Sequence, residues 1–330
     1  MKASVIIPTK NPGPLFREVL AAVLGQETCF DYEVLVVDSG STDGTVEHVE
    51  AQADGRLRLH RIDPAEFGHG KTRNLAISLS SGEFAVLITH DALPADSHWL
   101  AALVAPAEAD PRIAGVFGRH IAYPTASPFV RDELKNHFAG FRPTPTVGLD
   151  DPDLYAREEG YRKFLHYFSN NNALIRRSVW TDIPFPEVDF AEDQAWAKRM
   201  IEAGYRKAYA DDAVVYHSHD FSLWEKLQRS FDEANAFRRY FGYSLCPRVR
   251  TLLRGWFDDT RRDLRESRAS GLWRTRPGVV LRRPLEHLAK HLGHYLGARG
   301  DRLPLWLAER LSWDRRLLYG ERSGSRIRAK

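Results

Sequence analysis

The apolar positions of the first 110 residues repeat with two different periods. Ser4-Val5-Ile6-Ile7-Pro8 is a short β-branched run that ends at a proline, and Glu33-Val34-Leu35-Val36-Val37-Asp38 is a second. The second is apolar on both faces, the pattern of a strand buried inside a parallel sheet. Arg58–Ile62 and Glu83–Thr89 supply a third and a fourth strand. Between the first two, Leu15, Val19, Ala22 and Val23 have helical spacing and predict a helix over 14–26. Further helices are expected from Gly44 to residue 53, over 70–80 and over 97–109. Alternating strands and helices imply an α/β fold: a mostly parallel sheet with helices on both faces.

The middle of the chain is less regular. Gly115–Tyr123, Asn172–Trp180 and Tyr209–His217 read as strands, and Glu192–Ala203 as a helix stopped by Gly204. Ser222–Phe241 reads as a long amphipathic helix with Ser222 at its N-cap. Helical segments follow Pro247. Leu285, Leu288, Leu292 and Leu296 mark one apolar stripe, and Leu303, Trp306, Leu307 and Leu311 another. There is no internal repeat.

Composition narrows the class. With 43% hydrophobic and 28% charged residues among 330, the chain has material for a sizeable core and is not a disordered polymer. Two cysteines, Cys29 and Cys246, exclude a disulfide scaffold and an all-cysteine zinc site. No apolar run reaches the ~18 residues of a membrane span, and Met1–Val5 reads as the start of a strand rather than a signal peptide. The expected location is cytoplasmic.

The net charge of +3 conceals an asymmetry. Residues 1–244 carry 26 Lys+Arg against 35 Asp+Glu, a balance of −9, whereas residues 245–330 carry 21 against 9, a balance of +12. A catalytic domain over 1–244 and a basic helical region over 245–330 are therefore expected. A basic region calls for an acidic partner surface: anionic lipid, polyphosphate or nucleic acid. Trp256, Trp273, Trp306 and Trp313 lie among its arginines. A set of helices on a membrane surface explains that more economically than nucleic acid. Peripheral attachment at the inner face of the cell membrane would follow. Internal packing and a homodimer interface are the alternatives.

In an open parallel sheet, ligands bind at the carboxyl ends of the strands. The first strand ends at Pro8-Thr9-Lys10-Asn11, the second at Asp38-Ser39-Gly40-Ser41, and the fourth at Thr89-His90-Asp91. A carboxylate with small hydroxyls suits a nucleobase edge and a ribose, and a carboxylate on a neighbouring strand suits a hard divalent cation completed by substrate phosphates. The plainer alternative is that Asp38 and Ser41 only cap the helix that follows. Glu192-Asp193 has a plain reading too, since acids in a first helical turn complement the helix dipole. Arg73 can pair bidentately with phosphate oxygens, or be a helix surface charge.

Taken in order, these pieces resemble the family-2 glycosyltransferases of the GT-A fold over residues 3–240. Val5-Ile6-Ile7-Pro8-Thr9 with Asn11 is similar to the family's first strand and nucleotide loop, and Val36 to Thr45 to its second-strand signature. Thr89-His90-Asp91 falls on the family's Asp-x-Asp metal motif with the first acid absent, leaving Asp91 as a ligand of Mg²⁺ or Mn²⁺. Val215-Tyr216-His217-Ser218-His219 falls where relatives place a further metal-binding histidine. Glu192-Asp193 matches the catalytic Glu-Asp pair. The resemblance makes Asp193 the base that takes the acceptor's proton, with Glu192 orienting the acceptor or the base.

A narrower resemblance follows. Phe67-Gly68-His69-Gly70-Lys71-Thr72-Arg73-Asn74 is similar to a segment of bacterial rhamnosyltransferases, and His90-Asp91-Ala92-Leu93-Pro94 and Ser169 to Ala173 agree with it. It implies a dTDP-L-rhamnose donor and a saccharide or lipid-linked saccharide acceptor in surface-polysaccharide synthesis, with another nucleotide sugar (UDP- or GDP-linked) as the alternative. Pro8, Thr9, Asn11, Asp38 and Ser39 would line the nucleoside, and His69, Arg73, Asn74 and His90 would complete the donor site. Two readings from other classes compete. Ala65 followed by Gly70-Lys71-Thr72 is a near miss to a phosphate-binding loop, which would make the chain a phosphotransferase. The basic region could alternatively serve a non-enzymatic binding module.

Overall fold

A computed structural model describes residues 1–188 and 190–313. Within them the chain divides into two compact units. The first comprises residues 1–187 and 192–218, and the second comprises 188–191 and the chain from His219. The helix Leu223–Phe241, expected with the sheet, thus belongs to the second unit.

The first unit is built on one sheet of nine strands: β1 Ala3–Thr9, β2 Tyr32–Asp38, β3 Leu57–Arg61, β4 Phe84–Ile88, β5 Leu93–Pro94, β6 Ile113–Ile121, β7 Thr146–Val147, β8 Asn172–Arg176 and β9 Arg206–Tyr216. Their order is β3-β2-β1-β4-β8-β6-β9-β5, with β7 also on β9. β1 to β4 pair in parallel, as their apolar runs predict. The rest of the sheet departs from that expectation. β8 lies antiparallel between β4 and β6, and β5 and β7 run antiparallel to β9. The sheet is mixed because β8 enters from the edge where β4 and β6 leave. Asn172–Trp180 is also not one strand: β8 stops at Arg176, and Arg177–Asp182 turns into a helix.

Alternating side chains supply two cores. Val5, Ile7, Val34, Val36 and Val86 pack on one face against Phe16, Val19, Val23, Trp99 and Leu103. Ile6, Leu35, Val37 and Leu87 pack on the other against Ala76, Ile77, Phe168 and Trp196. The helices Leu15–Leu24 and Trp99–Ala109 cover the first face, and His69–Leu79 and Glu192–Glu202 cover the second.

In the second unit, Ser222 caps Leu223–Phe241 in a reciprocal arrangement with Glu225. This helix packs on Pro277–Gly297, which also packs on Val249–Ala269. The first contact is backbone to backbone: a Cβ on Gly297 would lie 2.2 Å from the Phe231 carbonyl oxygen. The leucine stripe of Pro277–Gly297 is split, with Leu296 packed against Phe231, Ala308 and Leu311. Leu285 and Leu288 are exposed, and Val280, Arg283, His287, Ala289, Gly293 and Gly297 are buried instead. Arg283 reaches Asp263 at 2.7 Å, and His287 reaches the same carboxylate at 2.8 Å. Buried charge is tolerated there because each group is paired. Among the described residues no helix is long and apolar enough to cross a membrane. The last part of the basic region, residues 314–330, lies outside the described residues.

Candidate active site

Strand register gathers the candidate residues at one edge of the sheet. Thr9 and Asp38 are paired at the carboxyl ends of β1 and β2. Ile88, the last residue of β4, pairs with Asn172, the first of β8, so His90-Asp91 and Ser169-Asn170 flank the same edge. Ile121 pairs with Tyr216, and the His217 amide donates to the Ile121 carbonyl at 2.9 Å, which brings the end of β9 there as well.

The two N-terminal loops are tied to each other. Asp38 is buried, and its carboxylate accepts from the Thr9 hydroxyl at 2.8 Å, the Ser41 hydroxyl at 2.5 Å, and the amides of Gly40 at 2.9 Å and Ser41 at 2.8 Å. Burial alone would raise its pKa, but these donors outweigh it and hold the carboxyl below its ordinary value. Four donors converge on this carboxylate, so Asp38 organises the loop. The Ser39 hydroxyl donates to the Thr9 carbonyl at 3.0 Å. Asn11, at φ 44°, receives the Thr42 amide on its side-chain oxygen at 2.7 Å. His90 Nδ1 lies 3.3 Å from the Pro8 carbonyl oxygen and bridges the ends of β1 and β4.

Asp91 and His217 converge, with Oδ1 and Nε2 3.6 Å apart. The Tyr123 hydroxyl donates to the Asp91 carbonyl at 3.0 Å. The His217 ring meets that of buried His120 edge to face, with centroids 5.3 Å apart. Burial, then the neighbouring His217 and His137, holds His120 in its neutral form well below the usual histidine range. One carboxylate with one imidazole is a donor set that fits Mn²⁺ better than Mg²⁺ and leaves room for phosphate oxygens. His219 is exposed at the start of the second unit, with its ring stacked on Phe221.

The rhamnosyltransferase-like segment does something other than face solvent. Arg73 is buried and pairs with Glu192 at 2.9 Å, with its guanidinium also on the His69 carbonyl at 3.1 Å. The Asn74 side chain takes the Phe185 amide at 3.0 Å and the Trp180 indole at 2.9 Å, and donates to the Phe185 carbonyl at 2.9 Å. A Cβ on Gly70 would lie 2.1 Å from the Pro186 carbonyl oxygen, so only glycine permits this approach. His69 packs edge to face on Phe67. The segment therefore clamps the helix His69–Leu79 onto the chain that leads to Glu192. This closes the phosphotransferase reading. Thr72 is buried, and Gly70 is backed by a carbonyl, so residues 65–72 form no open nest of amides.

Ala191 takes a left-handed conformation, φ 55°, immediately before Glu192-Asp193. Such strain in a non-glycine residue clusters at functional sites. Glu192 is buried. Burial pushes its pKa up, but Arg73, then His69 and the Asn170 amide group at 3.1 Å, reverse the shift and keep it charged. Asp193 has the opposite balance. Burial and then the adjacent Glu192 charge push it up to about 7, against amides of Gln194 at 2.7 Å and Asn170 at 3.2 Å. A carboxyl poised near neutrality at a ligand-binding edge suits proton transfer. Asn170 was visible in the sequence only as part of an asparagine run, yet its backbone and side chain hold both acids.

These features define an α/β fold whose strand ends gather buried acids and a carboxylate–imidazole pair. Residues 4–179 match the model of glycosyl transferase family 2, and the chain belongs to that family. It is a glycosyltransferase. It is 34% identical over 92% of both chains to the O-antigen chain rhamnosyltransferase RfbN of Salmonella typhimurium. It is 30% identical over 92% of this chain and 91% of the relative to the O-antigen chain rhamnosyltransferase WbaN of Salmonella anatum. In fold it resembles the mannosyltransferase PcManGT of Pyrobaculum calidifontis, solved with GDP-Man and Mn²⁺. The TM-score is 0.61 at 21% identity, covering 91% of this chain and 87% of that one.

Proposed function

We propose that this glycosyltransferase is an inverting rhamnosyltransferase. It moves L-rhamnose from dTDP-L-rhamnose to a hydroxyl of a saccharide or lipid-linked saccharide in the synthesis of a surface polysaccharide. What carries the reading is Asp193, buried beside Glu192 and accepting from the Asn170 amide at 3.2 Å, two residues before the start of β8, which pairs with the end of β4 that leads to Asp91. The two Salmonella relatives, matched along nearly their whole length, support the sugar.

The Asp193 carboxylate accepts the proton of the acceptor hydroxyl as that oxygen attacks C1 of the donor sugar. The bond from C1 to the diphosphate oxygen breaks, and the electron pair leaves with the nucleoside diphosphate. Glu192 stays ionised on Arg73 and Asn170 and fixes the start of the catalytic helix. The nucleoside lies over the loops of Pro8, Thr9, Asn11 and Ser39, whose shape Asp38 sets from below. His90 borders the donor where β1 and β4 end, while His69, Arg73 and Asn74 act on the donor site from beneath it. Asp91 and His217, or His219 two positions further on, would hold a divalent cation, which when bound supplies charge stabilisation for the departing diphosphate.

A thermal-shift panel of dTDP-, UDP- and GDP-sugars with and without Mn²⁺ tests the reading, because a ligand that binds the native state raises the melting temperature. Selective stabilisation by dTDP-L-rhamnose is expected, followed by transfer of labelled rhamnose. Selective stabilisation by a UDP- or GDP-sugar would overturn the donor assignment.

A further inference from the structure

The second unit carries an apolar surface two helices wide. Val249–Ala269 and Pro277–Gly297 run antiparallel, since Asp259 meets His291 at 3.0 Å while Asp263, one turn later, meets His287 one turn earlier. Leu253 and Phe257 sit about 100° round their helix from the positions that face the partner, and Leu281, Leu285 and Leu288 sit at a similar angle on theirs. In an antiparallel pair these offsets have the same sense, so both stripes fall on one side of the hairpin. They are exposed to between 38% and 64%. Five apolar side chains left open in two aligned rows are a docking surface rather than scattered exposure.

Charge identifies what covers it. Arg261, Arg265 and Arg268 lie beyond the row of Leu253 and Phe257, at the outer border of the apolar side, and all three are exposed. With Phe257, Thr260 and Leu264 they line a groove of about 350 Å³. Among the described residues none of the three pairs with a carboxylate, whereas Arg262, Arg282 and Arg283 on the same two helices all do. A row of unpaired guanidiniums bordering an apolar face matches a phosphate layer bordering acyl chains. We propose that this hairpin face docks on an anionic phospholipid bilayer, with the apolar rows at the acyl boundary and Arg261, Arg265 and Arg268 on lipid phosphates. The proposal is independent of the donor sugar.

Sedimentation of the full chain with vesicles tests it. Binding to mixed phosphatidylglycerol and phosphatidylcholine vesicles is expected at low salt, with little binding to phosphatidylcholine alone. Changing Arg261, Arg265 and Arg268 together to Gln should weaken binding about fivefold per arginine, on the order of a hundredfold in all. The same three changed to Lys should retain most of it. Leu253→Ser with Leu285→Ser, both at exposed positions, should weaken binding with the arginines intact. No binding to anionic vesicles, or binding that both sets of variants leave unchanged, overturns the proposal. So does a dimer in sedimentation velocity that Leu285→Ser dissociates, because a second copy would then own the face.

Discussion

Arg73 and Glu192 meet at 2.9 Å with each side chain only 8% exposed, and the charge left over beside them falls on Asp193. The guanidinium neutralises one acid of the pair. The other is left in a buried site next to a negative charge, and its proton affinity rises accordingly.

Replacing Asp193 by Asn should remove the proton acceptor and keep the fold. Transfer should fall by about 10²- to 10⁴-fold, while affinity for the nucleoside diphosphate stays at the wild-type value. Steady-state kinetics alongside calorimetric titration separate the two. Near-normal turnover would end the assignment of the base.

The pH dependence has a defined sign. A base must be unprotonated, so kcat/KM should rise with pH through about 7, the value to which burial and then the adjacent Glu192 push the Asp193 carboxyl. Because its folded pKa lies above its unfolded value, the stability that protonated Asp193 contributes is full below the unfolded value and is lost as pH rises from there through 7. Asp193→Asn should therefore melt higher than the wild type at pH 8, and the gap should close toward pH 4. A constant gap across that range would contradict the shift.

Arg73→Gln strands a buried carboxylate, and breaking such a pair costs about 3–5 kcal/mol. Denaturant unfolding should show the loss. The less neutralised Glu192 should also move the acidic limb of the rate profile to higher pH. Nucleotide affinity should be unchanged, because Arg73 points at Glu192. A large loss of nucleotide affinity in a folded variant would instead place Arg73 on the diphosphate.

Asp91→Ala should lower nucleotide affinity by roughly tenfold or more when Mn²⁺ is present, since even the outer partners of a metal ligand matter by about that factor. In chelator the two proteins should bind nucleotide alike. Equal affinities with Mn²⁺ would remove Asp91 from the cation site.

Gly70→Ala should cost about 1–3 kcal/mol, as overpacking does, and should depress kcat further than stability alone explains. The clash is with the Pro186 carbonyl, on the segment that carries Glu192. Pro186 and Gly70 lie far apart in the sequence, and no periodicity links them.

The sequence by itself determined the four parallel strands, the helices between them and the polar strand ends, because those follow from short-range periodicity and turn chemistry. It also determined the membership of the chain in its family, through ordered motifs at Pro8-Thr9 and Asp38 to Thr45 that lie within the matched residues 4–179. Tertiary structure alone decided which way those residues point. Arg73 faces a carboxylate rather than solvent, and Asn74 clamps Phe185, because each partner is supplied by a distant segment. β8 runs against its neighbours because the chain enters the sheet from the opposite edge. The leucines of Pro277–Gly297 mark a helix, but Leu285 and Leu288 of that stripe stay exposed while Leu296 packs inward. Glycines and paired charges let two neighbouring helices come close on the other side, and only the packed unit contains those neighbours.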